Sequence, residues 1–293
     1  MSDMSNMVRI NFKKGDDIRD AGLKTPETIE RFDDIPYGAD VLQVMDLYRP
    51  KARAGETLPV IVSVHGGGWV YGDKERYQYY CMSLAEHGFA VVNFSYRLAP
   101  EAKFPAQLED VNTVFTWVQD NAAKYNMDAS HVFALGDSAG GHLLSLYAAL
   151  CSNLDYAQTF SFSAPKGFIP TAIALNCGVY SLEGNSSDEM TNVLMDDLFL
   201  DGSTPEKLHS ISAVNFVTEA FPPTFLMTCT DDFLTEQPAL LMPQLMKCNV
   251  PFQLHFYSEG AKGLGHVFHC NMKSDAAHRC NAEECAFFKK YMD

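Results

Sequence analysis

The sequence has no cluster of basic residues and no long apolar run. Its 293 residues include 22 lysines and arginines against 37 aspartates and glutamates, a formal net charge of −15. A surface with this charge repels nucleic-acid backbones and anionic lipid headgroups, so we expect no nucleic-acid and no membrane partner. Residues 1–17 lack the apolar core of a signal peptide, and no stretch approaches the roughly 20 apolar residues of a membrane span. These absences lead us to expect a cytoplasmic protein.

Cys-x-x-Cys pairs are also missing. The chain has 8 cysteines but no export signal, so we interpret the cysteines as mostly reduced thiols. Six potential zinc ligands lie close together in the sequence: His266, His269, Cys270, His278, Cys280 and Cys285. Their spacing matches no familiar zinc pattern, so we predict no metal site.

Short apolar runs alternate with segments of helical periodicity. The runs lie at 58–67, 89–97, 131–138, 171–180, 223–232 and 252–257. They are apolar almost throughout, which is typical of parallel strands buried on both faces. The segment 40–50 alternates instead and predicts an antiparallel edge strand. The segments 105–125, 139–153 and 281–293 have the apolar spacing of helices. Together the strands and helices predict an α/β fold, a mostly parallel sheet flanked by helices.

No internal repeat or linker divides the chain. We therefore predict a single domain over residues 1–293, with residues 1–34 as an N-terminal extension. Over residues 181–218 the alternation of strand and helix lapses into an acidic, turn-rich insertion. Such an insertion is either a long connection or a cap over a site, and we take a short cap as the prediction.

A Gly-x-Ser-x-Gly motif, Gly136 to Gly140, lies between an apolar run and a helical segment. This strand–turn–helix context is the one in which such a serine acts as a nucleophile. Glycines are needed on both sides because the tight turn brings neighbouring backbone segments together. The following helix directs its N-terminal amides at Ser138, where negative charge would develop. We therefore predict that Ser138 is a nucleophile.

A serine nucleophile also needs donors that stabilise an oxyanion. The sequence HGGGW, residues 65–69, follows an apolar strand, and its consecutive glycines allow backbone N–H groups to point into a cavity. Together with the amide of Ala139 they form a candidate oxyanion hole.

An acid and a base are both available downstream of the serine. Asp231 and Asp232 follow one apolar strand, where open α/β sheets keep their sites, and either could orient the base. His266 and His269 follow the last strand, and either could be that base. The order Ser, Asp, His is the order found in α/β-hydrolases.

Four segments occur together and in order: MDLYRP at 45–50, HGGGWVYGDK at 65–74, SYRLAPEAKFPAQLED at 95–110 and GDSAGG at 136–141. With them the chain resembles the α/β-hydrolase superfamily. More narrowly, it is similar to carboxylesterases related to hormone-sensitive lipase and to bacterial BD-FAE-type carbohydrate esterases. The resemblance extends over roughly residues 35–290. It implies an α/β-hydrolase fold with a short cap.

The resemblance also implies roles for individual residues. Ser138 matches the nucleophile of the family. Gly67, Gly68 and Ala139 match the amide donors of the oxyanion hole, and Gly66 belongs to the same loop.

The acid and the base are also implied by the resemblance. The acid lies in an Asp-x-Leu pattern that Asp232 fits and Asp231 does not. The base opens a His-Gly-Phe segment. His266 fits this segment, although Val267 replaces the glycine, whereas His269 has no such context.

Other segments of the resemblance concern substrate and scaffold. Trp69 and Tyr71 are expected to line the substrate pocket, and Arg97 and Glu101 are expected to form a scaffold pair. The implied activity is hydrolysis of short-chain acyl esters, acetyl to butyryl, of sugars or aromatic alcohols. It needs no metal or organic cofactor, and the partner is a small-molecule ester bound by a monomer or homodimer. The alternatives are an arylformamidase or peptidase with the same residues, and a non-catalytic hydrolase-like binding protein.

Overall fold

The computed structural model describes residues 1–184, 189–260 and 263–292. Its strands are β1 (Ile29–Pro36), β2 (Val44–Pro50), β3 (Leu58–Val64), β4 (Ala90–Phe94), β5 (Met127–Asp137), β6 (Ile173–Asn176), β7 (Thr224–Cys229) and β8 (Phe252–Tyr257). They form one sheet in the order β1-β2-β4-β3-β5-β6-β7-β8. Strands β3 to β8 are parallel, whereas β2 is antiparallel to both of its neighbours.

Helices pack on both faces of this sheet. They are α1 (Asp3–Asp20), α2 (Lys74–Glu86), α3 (Ala106–Asn121), α4 (Ala139–Ser152), α5 (Leu154–Ala157), α6 (Glu189–Leu198), α7 (Pro205–Ser210), α8 (Gln237–Lys247) and α9 (Asp275–Lys289). Successive side chains of a strand point to opposite faces. Val60 and Val62 of β3 accordingly pack in the cluster that contains α3 and α4, and Ile61 packs in the cluster of α2 and α9.

The predicted α/β class is confirmed, and each of the six predicted parallel strands is present. The antiparallel strand predicted at 40–50 is present as β2. Its predicted position at the edge of the sheet is wrong, because β1 pairs with β2 and forms the edge itself. The charged sequence of β1, IERFDDIP, gives no strand signal, and its pairing has an irregularity between Phe32 and Ile35. The C-terminal helix begins at Asp275, earlier than the periodicity indicates.

A buried ion pair joins two of the sequence motifs. Lys74, in the segment 65–74, lies 2.9 Å from the carboxylate of Asp46 in β2. Tyr48 donates a hydrogen bond of 2.8 Å to the same carboxylate. Asp46 and Lys74 are almost wholly buried, so the loop after β3 is fixed to the antiparallel part of the sheet.

The first 34 residues form part of the fold. Helix α1 is capped by Ser2, which donates a 2.6 Å hydrogen bond to Asp197 in α6. Further along α1, Arg9 forms an ion pair with Glu101. The expected Arg97–Glu101 pair is therefore wrong, and Arg97 instead pairs with Asp110 at 2.7 Å.

The insertion at 181–218 contains α6 and α7, and residues 185–188 within it lie outside the described residues. Asp197 in α6 joins this insertion to α1, because it accepts the hydrogen bond from Ser2. In the described part of the chain, no helix combines the length and the apolar character that a membrane crossing requires.

Candidate active site

Ser138 lies on a sharp turn between β5 and α4. Its backbone has φ 51° and ψ −119°, a conformation that costs a residue with a side chain roughly 1–3 kcal/mol and that recurs at functional sites. A Cβ atom on Gly140 would lie 2.0 Å from the Val64 carbonyl oxygen, and one on Gly136 would lie 2.5 Å from the Gly140 carbonyl oxygen. The two glycines are thus required by close backbone contact, as the motif predicts.

His266 and Asp232 form a hydrogen-bonded pair. The distance from His266 Nδ1 to Asp232 Oδ1 is 2.7 Å, and the Asp232 side chain is fully buried. Thr228 Oγ1 donates to the second carboxylate oxygen at 3.0 Å, and the Leu234 amide donates to the first at 2.9 Å. Burial opposes ionisation, but the hydrogen bond and charge of His266 outweigh it and hold the pKa of Asp232 below its usual value.

The structure separates the two candidates for the acid. Asp231 has an exposed side chain, and its amide donates to the Leu264 carbonyl oxygen at 3.0 Å. Its neighbour Asp232 turns inward toward His266. The Asp231 backbone therefore holds the loop that precedes His266, and Asp232 supplies the carboxylate that contacts the imidazole.

The structure also separates the two candidates for the base. His269 is fully buried, edge-on to the Tyr80 ring, with Nε2 3.5 Å from Cys270 Sγ. Burial lowers the pKa of His269 to about 3. His266 is partly exposed and lies in the wall of a cavity with Ser138. Of the two imidazoles, only His266 shares this cavity with Ser138.

Two groups of side chains could supply metal ligands among the described residues. Asp137, His269 and Cys270 form one group, and Cys177, Asp232 and His266 form the other, with donor atoms within 4.8 Å of one another in each. In the second group the oxygen of Asp232 and the nitrogen of His266 already bond to each other. That contact suits proton transfer through the imidazole.

A cavity of about 320 Å³ adjoins Ser138 and His266. It is lined by Asn11, Phe12, Gly15, Asp16, Arg19, Gly66, Gly67, Tyr71, Tyr77, Asp137, Ser138, Phe233, His266 and Val267. The first five belong to α1, and sequence reasoning missed all of them. The available signal was the spacing of Phe12, Asp16 and Arg19, which places them on one face of a helix.

The glycines of the predicted oxyanion loop, residues 65–69, differ in their surroundings. The Gly66 N–H donates to the Tyr77 hydroxyl at 2.9 Å, so this amide already has a partner. Gly67 has φ 116° and lies in the cavity wall, and Gly68 has φ 61°. Ala139 is the first residue of α4, directly after Ser138.

The two aromatic residues expected in the pocket have different positions. Tyr71 lines the cavity and donates a 2.7 Å hydrogen bond to Asp16. Trp69 is buried and does not reach this cavity, because its indole N–H donates to His142 Nδ1 at 3.1 Å. Burial lowers the pKa of His142 to about 4, so this imidazole is neutral and can accept. Trp69 is therefore outside the lining of this cavity, contrary to the expectation that it is a pocket residue.

Known proteins support the fold and the family. The family model BD-FAE matches residues 45–242. Esterase LipQ from Mycobacterium tuberculosis is 31% identical over 205 residues, which cover 66% of this chain and 47% of LipQ. The versiconal hemiacetal acetate esterase of Dothistroma septosporum is 28% identical over 239 residues, which cover 76% of this chain and 70% of that enzyme.

A solved structure is similar over nearly the whole chain. Esterase B from Lactobacillus rhamnosis has a TM-score of 0.88 and 26% identity, and the match covers 99% of this chain and 97% of esterase B. Among curated relatives the overlap is shorter, since the chain spans about half the length of LipQ. The matched family model covers more than half of the sequence, and the fold agrees with it. The chain belongs to the BD-FAE family of α/β-hydrolases.

Proposed function

We propose that this protein is a serine carboxylesterase that hydrolyses short-chain acyl esters through Ser138, His266 and Asp232. The observation that carries the proposal is the 2.7 Å contact between His266 and the buried Asp232, beside a cavity that also contains the strained Ser138. Nucleophile, base and acid come from three separate strand ends, the arrangement expected of this reaction.

The chemistry follows from the roles of these side chains. Ser138 Oγ attacks the ester carbonyl while His266 Nε2 accepts the hydroxyl proton, and His266 then protonates the leaving alcohol. Asp232 holds the imidazole with its proton on Nδ1 and stabilises the cation that forms. Water then repeats the sequence on the acyl-enzyme and regenerates Ser138.

The oxyanion is stabilised in this proposal by the amides of Gly67, Gly68 and Ala139. Gly66 is left out, because its N–H already donates to Tyr77. Each donor aimed at the developing charge contributes about 3 kcal/mol, or roughly a hundredfold in rate.

The cavity supports a small ester as substrate. Its volume of about 320 Å³ is near the lower end of ligand sites, which suits acyl groups from acetyl to butyryl. Apolar Phe12 and Phe233 and polar Asp16 and Tyr71 share its wall, so a sugar or an aromatic alcohol could contact both kinds of surface. Esterase B, the similar structure, has been solved with a tributyrin phosphonate inhibitor.

Two assays test the activity. A fluorophosphonate probe should label wild-type protein and spare Ser138→Ala. In a panel of p-nitrophenyl esters from acetyl to octanoyl, turnover should be highest at four carbons or fewer. N-formylkynurenine and peptide anilides are the comparison substrates. Faster turnover of either of these than of the esters would identify an amidohydrolase instead of an esterase. Absence of labelling at Ser138 would favour a non-catalytic binding protein.

Adjacent aspartates provide a matched pair of variants. Asp232→Asn should lower kcat by about 10⁴-fold, the loss seen when a triad aspartate can no longer hold the imidazole tautomer. Asp231→Asn should leave kcat within a few fold, because its exposed carboxylate does not contact His266. Loss of turnover in Asp231→Asn alone, with both variants folded by circular dichroism, would contradict the assignment.

A further inference from the structure

One hydroxyl group connects the oxyanion loop to the turn that holds the nucleophile. The Gly66 N–H donates to Tyr77 Oη at 2.9 Å, and that hydroxyl donates its own proton to Asp137 Oδ2 at 2.7 Å. Gly66 follows β3, Tyr77 belongs to α2, and Asp137 ends β5. Three separate elements therefore meet at a single oxygen atom.

These contacts are tight and largely closed to solvent. Tyr77 is 7% exposed, and Asp137 is 2% exposed. A Cβ atom on Gly66 would lie 2.5 Å from Asp137 Oδ2 and 3.0 Å from Tyr77 Oη. The loop is thus seated directly against both polar groups, with no space for a solvent molecule between them.

Two of these three residues are next in sequence to groups that the proposed mechanism uses. Gly66 precedes Gly67, whose amide the proposed mechanism uses, and Asp137 precedes Ser138. A shift of the Gly66 amide would move the next amide in the loop relative to Ser138 Oγ. Oxyanion donors act fully only within hydrogen-bond distance of the developing charge, so small displacements reduce the rate.

We propose that Tyr77 is a positioning residue, whose hydroxyl sets the distance between the Gly67 amide and Ser138 by way of Gly66 and Asp137. The inference rests on the proposed function of the site. Its effect requires no contact between Tyr77 and the reacting atoms. Burial raises the pKa of Asp137 to about 6, so at pH 8 the carboxylate is ionised and accepts the Tyr77 proton in a charge-assisted bond.

Helix α2 also supplies a matched control. Tyr80 is 1% exposed, and its hydroxyl donates to the buried carboxylate of Glu284 at 3.0 Å. Tyr77→Phe and Tyr80→Phe therefore each remove one buried hydroxyl that is bonded to one buried carboxylate. Only the Tyr77 hydroxyl also accepts from the oxyanion loop.

The test compares steady-state kinetics of these two variants on p-nitrophenyl butyrate at pH 8, well below their melting temperatures. Tyr77→Phe should lower kcat by about ten- to a hundredfold with KM within twofold, because the loss is confined to the transition state. Its affinity for a trifluoromethyl ketone, which forms a tetrahedral oxyanion on serine, should weaken by a similar factor. Tyr80→Phe should change neither quantity more than twofold.

A second pair of variants covers the case in which Tyr77→Phe does not fold. Asp137→Ala deletes the acceptor of the Tyr77 proton, whereas Asp137→Asn retains an oxygen in its place. Asp137→Asn should have a kcat at least tenfold above that of Asp137→Ala. Equal values in this pair would overturn the inference.

Two other results would also overturn it: a kcat of Tyr77→Phe within twofold of wild type, or an equal loss in Tyr80→Phe. The proposed function fails separately, if the wild-type protein neither reacts with fluorophosphonate nor turns over any ester. Wild-type activity together with an unaffected Tyr77→Phe would reject only the role of Tyr77.

Discussion

Removal of Arg9 should weaken the docking of helix α1 beside the cavity that contains Ser138. The guanidinium donates to the backbone oxygens of Val70 at 2.7 Å and Ala99 at 2.9 Å, and it forms two bonds of 2.9 and 2.7 Å with Glu101. Val70 and Ala99 follow the oxyanion loop and β4. One side chain therefore anchors α1 to two loops at the edge of the site.

The contributions of these bonds differ. The Glu101 side chain is 61% exposed, so its ion pair contributes only about 0.2–1 kcal/mol. Bonds from a charged donor to a carbonyl oxygen contribute about 1.5–3 kcal/mol each. We expect Arg9→Ala to lower the free energy of docking of α1 by about 3 kcal/mol. This is less than the sum of the individual bonds, because water bonds to the freed carbonyl oxygens once the helix moves away. This corresponds to roughly a hundredfold shift toward undocked α1.

Hydrogen exchange measures this shift. In Arg9→Ala, amides of residues 3–20 should exchange about a hundredfold faster, because the undocked population rises by that factor. Glu101→Gln, the matched control, removes only the ion pair and should change exchange by less than about fivefold. Unchanged exchange in Arg9→Ala, or equal effects of the two variants, would refute this account of the anchor.

Two further predictions concern stability. Val267 has φ 55° and ψ 32°, a left-handed conformation that glycine adopts more easily than alanine. Val267→Gly should therefore be about 1 kcal/mol more stable than Val267→Ala, with a Tm roughly 2 °C higher. An equal or higher Tm for the alanine variant would contradict this prediction. Burial, opposed by hydrogen bonds from Asn176 and Tyr80, raises the pKa of Glu284 from 4.5 to about 7. Folded protein thus retains a proton that the unfolded chain releases, and stability falls as pH rises from about 4.5 through 7, by up to about 3 kcal/mol. Glu284→Gln should therefore raise Tm relative to wild type more at pH 8.5 than at pH 5, and an equal difference at both would count against it.

The elements that sequence patterns predicted best are those whose signal is local. Buried parallel strands carry continuous apolar runs, and the turn at Ser138 needs glycine on both sides within five residues. The order of Ser138, Asp232 and His266 along the chain also follows from the fold class. The strands and the turn were predictable because each depends on backbone geometry or burial within one short segment, whereas the order of the three side chains came from the resemblance to a fold family.

The remaining parts depend on contacts between distant segments. The polar helix α1 docks through individual bonds from Ser2 and Arg9, which leave no apolar pattern in the sequence. Similarly, Asp231 and Asp232 are neighbours, and only the path of the loop decides which faces His266. The engagement of the Gly66 amide by Tyr77 depends on a helix that begins after the loop.

The cavity wall has two origins in the chain, and this division bears on how substrate range can change. Ser138, Gly67 and His266 lie in loops that the parallel strands hold in place, whereas Asn11, Phe12 and Gly15 come from the first helix. Substitutions at Asn11, Phe12 and Gly15 alter the shape and polarity of the cavity and leave Ser138, Asp232 and His266, the proposed catalytic groups, unchanged. Selection, natural or in a directed library, can therefore vary these three helix positions to change which esters the cavity admits.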